Sequence, residues 1–346
     1  MPALSAFFIK MDEKKFRASQ VMKWLHQSGV DNFEAMTNLG KGLRQKLSDF
    51  ANIPLPEVSL HSIANDGTQK WVLQLSQQAA IETVFIPEKD RGTICISTQV
   101  GCPLDCDFCA TGKQGFNRNL NAGEIIAQMW IVQQSLIKQG INQRISNVVF
   151  MGMGEPLLNF DNTMQVISIL RDDFAYGLSR RRITISTAGI VPAIEKLTDH
   201  TNVCLALSLH APTNELRDIL VPINKKYPLE KLIPACKKFA EKESRRRITI
   251  EYAMLKDVND SPLQARQLVK LLANLPVKMN LIPFNPFPGT KYQRSTDEAI
   301  DIFQQILIKN GLFTIARRTR GSDIDAACGQ LVGNVENKAK RQGELR

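Results

Sequence analysis

The apolar positions along the chain follow two different periods, and the change between them divides it. Over residues 10–50, Phe16, Val21, Met22 and Leu25 recur at helical spacing between Lys14, Lys15, Arg17 and Lys23. The opening MPALSAFFIKMDEKK reads as the first turns of a mature helix. It has no basic residues before its apolar patch and no small-residue cleavage site, so it is not expected to be a signal peptide. LGKGLRQKL (39–47) places a Gly-x-Gly turn between helical stretches, either a connector or a weak likeness to a backbone-touching helix-hairpin-helix, and Pro54 and Pro56 close the helical part. Strand patterns follow. VSLHSI and KWVLQLS flank Asn65-Asp66-Gly67, a hairpin signal, and AIETVFIP comes next, which predicts a β-meander.

From about residue 92 continuous apolar, β-branched runs alternate with amphipathic helices. The runs are TICIST, NVVFMGMG, RITIST, VCLALSLH, RITIEYAML and VKMNLIPF. Strands apolar on both faces and separated by helices predict parallel βαβ units. Six units predict an α/β fold, an open or partial (β/α)6 barrel with working residues at the C-terminal strand ends. The expected organisation is a small helical accessory domain over 1–53, a meander over 54–90, a core barrel over 91–336 and a basic tail over 337–346. No apolar run approaches the ~20 residues of a transmembrane helix.

Composition adds two bounds. The 44 Lys and Arg against 34 Asp and Glu give a net charge of +10. Such a surplus favours a polyanion such as RNA through counterion release, or belongs to a protein that is merely basic. Seven cysteines in 346 residues are too sparse for a secreted disulfide scaffold and fit a cytoplasmic chain whose thiols do metal or redox chemistry.

Three of those cysteines sit in QVGCPLDCDFCATGKQGF (99–116), directly after the first core strand: Cys102, Cys106 and Cys109, spaced Cys-x3-Cys-x2-Cys. Structural zinc takes four ligands, and the four histidines (His26, His61, His200, His210) do not readily complete the set. A [4Fe–4S] cluster on three thiolates keeps one iron open to a substrate or cofactor, whereas zinc or plain buried thiols would leave the spacing unexplained. Other strand ends carry polar groups. GMGEP (152–156) offers Gly154 and Glu155 but lacks the third glycine of a dinucleotide fingerprint. ISTAG (185–189) offers Ser186, LSLHA (207–211) offers Ser208 and His210, and LIPFNPFPG (281–289) holds Asn285 among prolines. Taken alone, His210 reads as a satisfied core histidine and the proline segment as a stiff turn; together the strand ends predict a pocket. Cys95 lies on the strand that feeds the cluster loop. Cys328 lies in RRTRGSDIDAACGQL, where Arg317, Arg318 and Arg320 are expected to favour its thiolate. Each also reads as a small buried hydrophobe, as do Cys204 and Cys236.

Cys-x3-Cys-x2-Cys with Phe108 before the last cysteine resembles the signature of the radical S-adenosylmethionine (SAM) superfamily. Nearly the whole chain from residue 12 resembles the RlmN/Cfr group of radical SAM RNA methyltransferases, through EKKFRASQVMKWL, IETVFIPE, TQVGCPLDCDFCATGKQGFNRNL, VFMGMGEPLLN, SLHAPTNELRD, VPINKKY, IEYAMLKDVND, NLIPFNPFPG and TRGSDIDAACGQL. The resemblance implies a [4Fe–4S] cluster on Cys102, Cys106 and Cys109, with SAM at its open iron and against Gly154, Glu155, Ser186, Ser208, Leu209, His210 and Asn285. It implies methylation of carbon 2 of an adenine in 23S rRNA near the peptidyl-transferase centre and of an anticodon-loop adenine in some tRNAs, with two SAM per turnover. One SAM methylates Cys328; a second yields a 5′-deoxyadenosyl radical that takes hydrogen from the S-methyl group. The carbon radical adds to the adenine, whose C2–H carbon is too electrophilic for direct attack by the SAM methyl. Cys95 then releases the product by forming a disulfide with Cys328. Glu82, which its strand pattern alone places on a solvent face, matches the group's general base. The sister enzymes that methylate carbon 8 share these cysteines. A methylthiotransferase is disfavoured because the remaining cysteines form no second triad, and a non-enzymatic iron–sulfur or zinc RNA-binding protein because it leaves GMGEP and SLHA unexplained. The chain starts where the group's first helix is already under way, so a short RNA-contacting unit is expected. An electron donor such as flavodoxin or ferredoxin, no membrane and a monomeric state complete the expectation.

Overall fold

The structure, a computed structural model, describes residues 1–76, 79–89, 91–243 and 247–333; the basic tail expected over 337–346 lies outside the described residues. The N-terminal unit comprises α1 (Pro2–Lys10), α2 (Arg17–Met22), which runs on through one π-helical turn at Lys23–Gln27, and α3 (Lys41–Phe50). Phe8, Ala18, Val21, Phe33, Met36, Leu39, Leu43 and Leu47 form a small core of its own. Two local expectations are corrected. The helical pattern over 10–50 breaks across residues 28–40, where Gly29 turns back with φ +66° against the Gln134 side chain. The expected Gly-x-Gly turn is instead a helix start: Gly40 is the N-cap of α3 and Gly42 lies inside it. Leu39, Leu43 and Leu47 are spaced to face one core, which holds the helix through Gly42.

The meander forms as expected from β1 (Glu57–Ile63), β2 (Gln69–Ser76) and β3 (Ala79–Pro87), paired antiparallel. It extends the main sheet, because β3 pairs antiparallel with β4 (Arg91–Cys95). A small hairpin of β5 (Gln99–Gly101) and β6 (Phe116–Asn119) then encloses the cysteine loop and the short α4 (Ala110–Gln114). The remaining strands are β7 (Arg144–Phe150), β8 (Ile183–Thr187), β9 (Cys204–Ser208), β10 (Ile248–Met254), β11 (Val277–Pro283) and β12 (Thr314–Ala316). The ten-stranded sheet has the order β1-β2-β3-β4-β7-β8-β9-β10-β11-β12. From β4 to β12 every pairing is parallel. The six expected βα units are all present, and β12 adds a seventh strand too short to show a pattern.

Helices α5 (Ala122–Lys138), α6 (Phe160–Arg171), α7 (Val191–His200), α8 (Asn214–Leu220), α9 (Leu229–Glu241), α10 (Pro262–Leu272) and α11 (Asp297–Lys309) connect the strands. Capping boxes start α5 (Asn121 with Glu124) and α10 (Ser261 with Gln264), satisfying amides that the first turn leaves unpaired. In β10 all seven residues are buried, whereas β7 and β8 mix buried with half-buried positions. Because the strands are parallel, their C-termini converge on one end of the barrel, here called the mouth, and their N-termini on the other, the base.

Candidate active site

The cysteine loop is fixed at the mouth by its own backbone. Cys102 N–H donates to Gly115 O (2.8 Å), Cys109 N–H to Cys106 O (3.1 Å) and Ala110 N–H to Gly329 O (2.8 Å). Asp107 anchors its outer side: it pairs with Lys113 and Lys291, each at 2.7 Å, and accepts from Tyr292 Oη at 2.6 Å. Burial opposes charge on that carboxylate, but these donors outweigh it and hold its pKa far below the usual range. Cys102, Cys106 and Cys109 line one pocket together with Cys328. Among the described residues no three His, Cys, Asp or Glu side chains gather closely enough to hold a single metal ion.

The strand ends supply the other walls. Gly154 has φ +97°, and a Cβ there would stand 2.5 Å from Gln99 Cβ. This close turn brings Glu155 into the pocket, where its two oxygens accept from Leu157 N–H (3.0 Å) and Ala188 N–H (2.8 Å). Burial pushes the Glu155 pKa up to about 7, with the same amides opposing. Ser186 and Ser208 Oγ lie 3.4 Å apart on adjacent strands. His210 is buried with φ +60°; its Nδ1 accepts Ala253 N–H at 2.9 Å, which leaves the proton on Nε2. Its ring packs on Phe108 at 4.3 Å, and burial, then the Arg217 charge, lower its pKa to about 3. Asn285 lines the pocket and donates to Cys328 O at 3.5 Å. Leu209 is buried and stands behind the wall, its N–H bonded to Glu251 O (3.1 Å).

Cys328 opens onto the pocket beside the cysteine loop. Burial, followed by the charges of Glu251 and Cys109, pushes its thiol up to about 12. Of the nearby arginines Arg317 favours the thiolate as expected, against burial and the charges of Glu251 and Cys109, while Arg320 pairs with Asp66. Cys95 ends β4 just outside the pocket lining. Burial raises its pKa, and the charge of Cys328 adds to the rise. Cys236 is buried and Cys204 half-buried, as small hydrophobes.

Glu82 contradicts the solvent-face reading of its strand. It is buried, pairs with Lys70 Nζ at 3.4 Å and accepts Val332 N–H at 3.2 Å. Lys70 in turn donates to Asp325 O (3.2 Å). The pair thus clips both ends of the loop that carries Cys328, and Glu82 itself does not line the pocket. Burial raises its pKa; Lys70 and the loop amides oppose.

Residues 1–53 match the family model "Ribosomal RNA large subunit methyltransferase N-terminal domain", and residues 96–269 match "Radical SAM superfamily". A dual-specificity RNA methyltransferase RlmN of Pseudomonas putida (strain W619) is 54% identical over 343 residues, covering 98% of this chain and 90% of that protein. The crystal structure of a radical SAM methyltransferase from Sphaerobacter thermophilus superposes with a TM-score of 0.89 at 39% identity, covering 95% of this chain and 96% of that one. The chain belongs to the RlmN family of radical SAM methyltransferases.

Membership of the RlmN family brings with it a [4Fe–4S] cluster and SAM. The residues fit them. Three thiols on one loop, lining one pocket, suit a cluster in which three irons each take one cysteine. Beside them stand a buried carboxylate, two serines and an amide, polar groups suited to a zwitterionic nucleoside.

Two residues of the RlmN-type pocket escape a reading by motif. Arg217 is fully buried behind the wall. Its Nε donates to Leu209 O (3.1 Å), Nη2 to Ala188 O (2.6 Å) and Ser208 O (3.2 Å), and Nη1 to Asn224 Oδ1 (2.8 Å). One guanidinium therefore fixes the ends of β8 and β9 relative to each other. Glu251 of β10 lines the pocket, accepts from Asn280 Nδ2 at 2.9 Å and acts on Cys328. A lone acidic residue inside IEYAML was its only signal.

Proposed function

We propose that this methyltransferase modifies carbon 2 of an adenine in 23S rRNA near the peptidyl-transferase centre, and of an anticodon-loop adenine in some tRNAs, with Cys328 carrying the methyl group. The observation that carries the reading is the position of Cys328: its thiol shares one pocket with the cysteine triad, and its charge acts on Cys95. When bound, the cluster and two SAM molecules supply a methyl group and a one-electron oxidant of C–H bonds. Cys102, Cys106 and Cys109 hold the cluster. Glu155, Ser186, Ser208, His210 and Asn285 contact SAM, with Gly154 and Leu209 shaping the backbone around it.

Cys328 gives up its thiol proton and takes a methyl group. The S-methyl carbon, after losing one hydrogen, bonds to the adenine ring. Glu82 accepts the proton lost from carbon 2, a role that requires the 325–332 loop to release it from Val332 N–H. The adduct gives up its unpaired electron to a one-electron acceptor. Cys95 sulfur then bonds to Cys328 sulfur, the Cys328 S–C bond breaks, and the Cys95 thiol proton ends on the freed carbon. A disulfide forms and a complete methyl group stays on the RNA. The helical unit 1–53 contacts RNA, the meander 54–90 braces the barrel and residues 91–336 carry the chemistry. A flavodoxin or ferredoxin supplies the electron, and the chain acts as a cytoplasmic monomer.

The test is product identity. Anaerobically reconstituted protein is incubated with SAM, a reductant and unmodified rRNA, and the digested nucleosides are separated by chromatography and mass spectrometry. 2-Methyladenosine is expected. 8-Methyladenosine moves the chain to the sister chemistry, and no methyladenosine with an intact cluster overturns the substrate assignment.

A further inference from the structure

The base of the barrel carries features that the reaction at the mouth leaves unused. Since β4 and β7 to β12 are parallel, their N-termini emerge on one face, about 20 Å from the mouth along a seven-residue strand. Arginines stand at several of these starts. Arg91 and Arg144 are register partners at the first positions of β4 and β7. Arg180–Arg182 form a single 3-10 turn directly before β8, and Arg247 directly precedes β10. All are exposed except Arg180, which is half-buried.

Lys138, Arg171 and Lys238 add positive charge in the last turns of α5, α6 and α9, where the helix dipole is explanation enough. Strands have only small net dipoles, so that explanation does not extend to the arginines. Local acids account for some of the charge: Glu88 pairs with Arg91, Glu243 with Arg180 and Asp199 with Lys242, while Arg182 donates to Asn147 Oδ1 at 3.1 Å. Among the described residues no carboxylate pairs with Arg144, Arg181 or Arg247. The face is also concave. Where the helical unit meets the barrel it opens into a cleft of about 530 Å³ lined by Arg144, Asp173 and the amides of Gln27, Gln133, Asn142 and Gln143.

We propose that the base of the barrel is a second RNA-docking face, on which Arg144, Arg181 and Arg247 hold phosphates of a substrate segment remote from the target adenine. The inference rests on the RNA reading above. Arginine forks match phosphate in a bidentate way, and the chain carries a surplus of ten positive charges. An acidic electron carrier is the poorer occupant, because it has to approach the cysteine loop at the opposite end. Only an RNA folded around the barrel reaches both ends at once.

The test compares wild-type holoenzyme with the triple variant R144A/R181A/R247A on two RNAs: a long structured rRNA fragment and a short stem-loop bearing only the target adenine. For the long fragment, the slope of log affinity against log salt should become shallower by about two in the variant. Binding and methylation of the stem-loop should not change, and the triple Arg→Lys variant should keep most of the slope. An unchanged slope on the long fragment overturns the proposal, as does an equal loss on the stem-loop, which would mean a diffuse field. Poly-glutamate that binds wild type as tightly as the long fragment and is lost in the variant assigns the face to an acidic protein instead. Wild-type protein that binds neither RNA defeats the functional reading itself, a result distinct from the others.

Discussion

At the mouth of the barrel Glu155, His210, Arg217 and Glu251 are buried and tied down by hydrogen bonds, whereas at the base Arg144, Arg181 and Arg247 stand in solvent. One sheet thus presents charge in two ways. The buried groups are costly to place and are retained only with partners, which fixes them for chemistry on one bound molecule. The exposed groups carry little burial cost, tolerate motion and suit a polyanion whose exact position matters less. Precision and reach are separated by the length of the strands.

Substitutions at the two ends should therefore differ in size and kind. The largest effect is expected for Cys328→Ala: methylation falls to background while iron content and thermal midpoint stay close to wild type. Methylation that survived would remove the pocket cysteine from the chemistry. Next is Arg217→Met, which removes the guanidinium from the carbonyls of Ala188 and Ser208 and from Asn224 Oδ1, and leaves Leu209 O with Ala211 N–H as donor. A loss of about 3–5 kcal/mol in denaturant unfolding is expected, because buried polar groups stay unpaired. A loss below ~1 kcal/mol would show that the wall is held by other contacts.

His26, at the cleft near the base, gives an intermediate and pH-dependent case. It lies 3.3 Å from Tyr176 Oη, and burial lowers its pKa from 6.5 to about 4, with Asp172 opposing. A base whose pKa is lower in the folded chain binds fewer protons there than when unfolded. The stability it contributes is complete above pH 6.5 and is lost as pH falls toward 4. That loss reaches up to about 3 kcal/mol and should be largely absent in His26→Phe, measured as unfolding midpoints across the acid range. The smallest effect belongs to Arg144→Ala, expected to shift stability by no more than about 0.5 kcal/mol.

The sequence made the mouth readable where its signals are contiguous. Cys102, Cys106 and Cys109 share eight residues, and GMGEP, ISTAG, LSLHA and LIPFNPFPG each follow an apolar strand directly, so parallel topology alone brings them together. What stayed hidden depends on partners distant along the chain. Arg217 gains its role from Ala188, 29 positions away, and Glu82 is covered by Val332, 250 positions away, which no strand period encodes. The joining of β3 to β4 was hidden because edge pairing leaves no pattern. The seventh strand was hidden because Thr314–Ala316 holds only three residues.

The central claim is that the methyl group reaches the adenine through Cys328 and leaves by way of Cys95. The most direct measurement uses Cys95→Ala holoenzyme with SAM, reductant and rRNA, followed by nuclease and protease digestion and mass spectrometry of any peptide–nucleotide conjugate. The account predicts RNA trapped on the protein, mapped to a single carbon bridge between the Cys328 sulfur and the adenine ring, with little free methylated RNA. Methylated RNA released by that variant at the wild-type rate, with no conjugate, would contradict it.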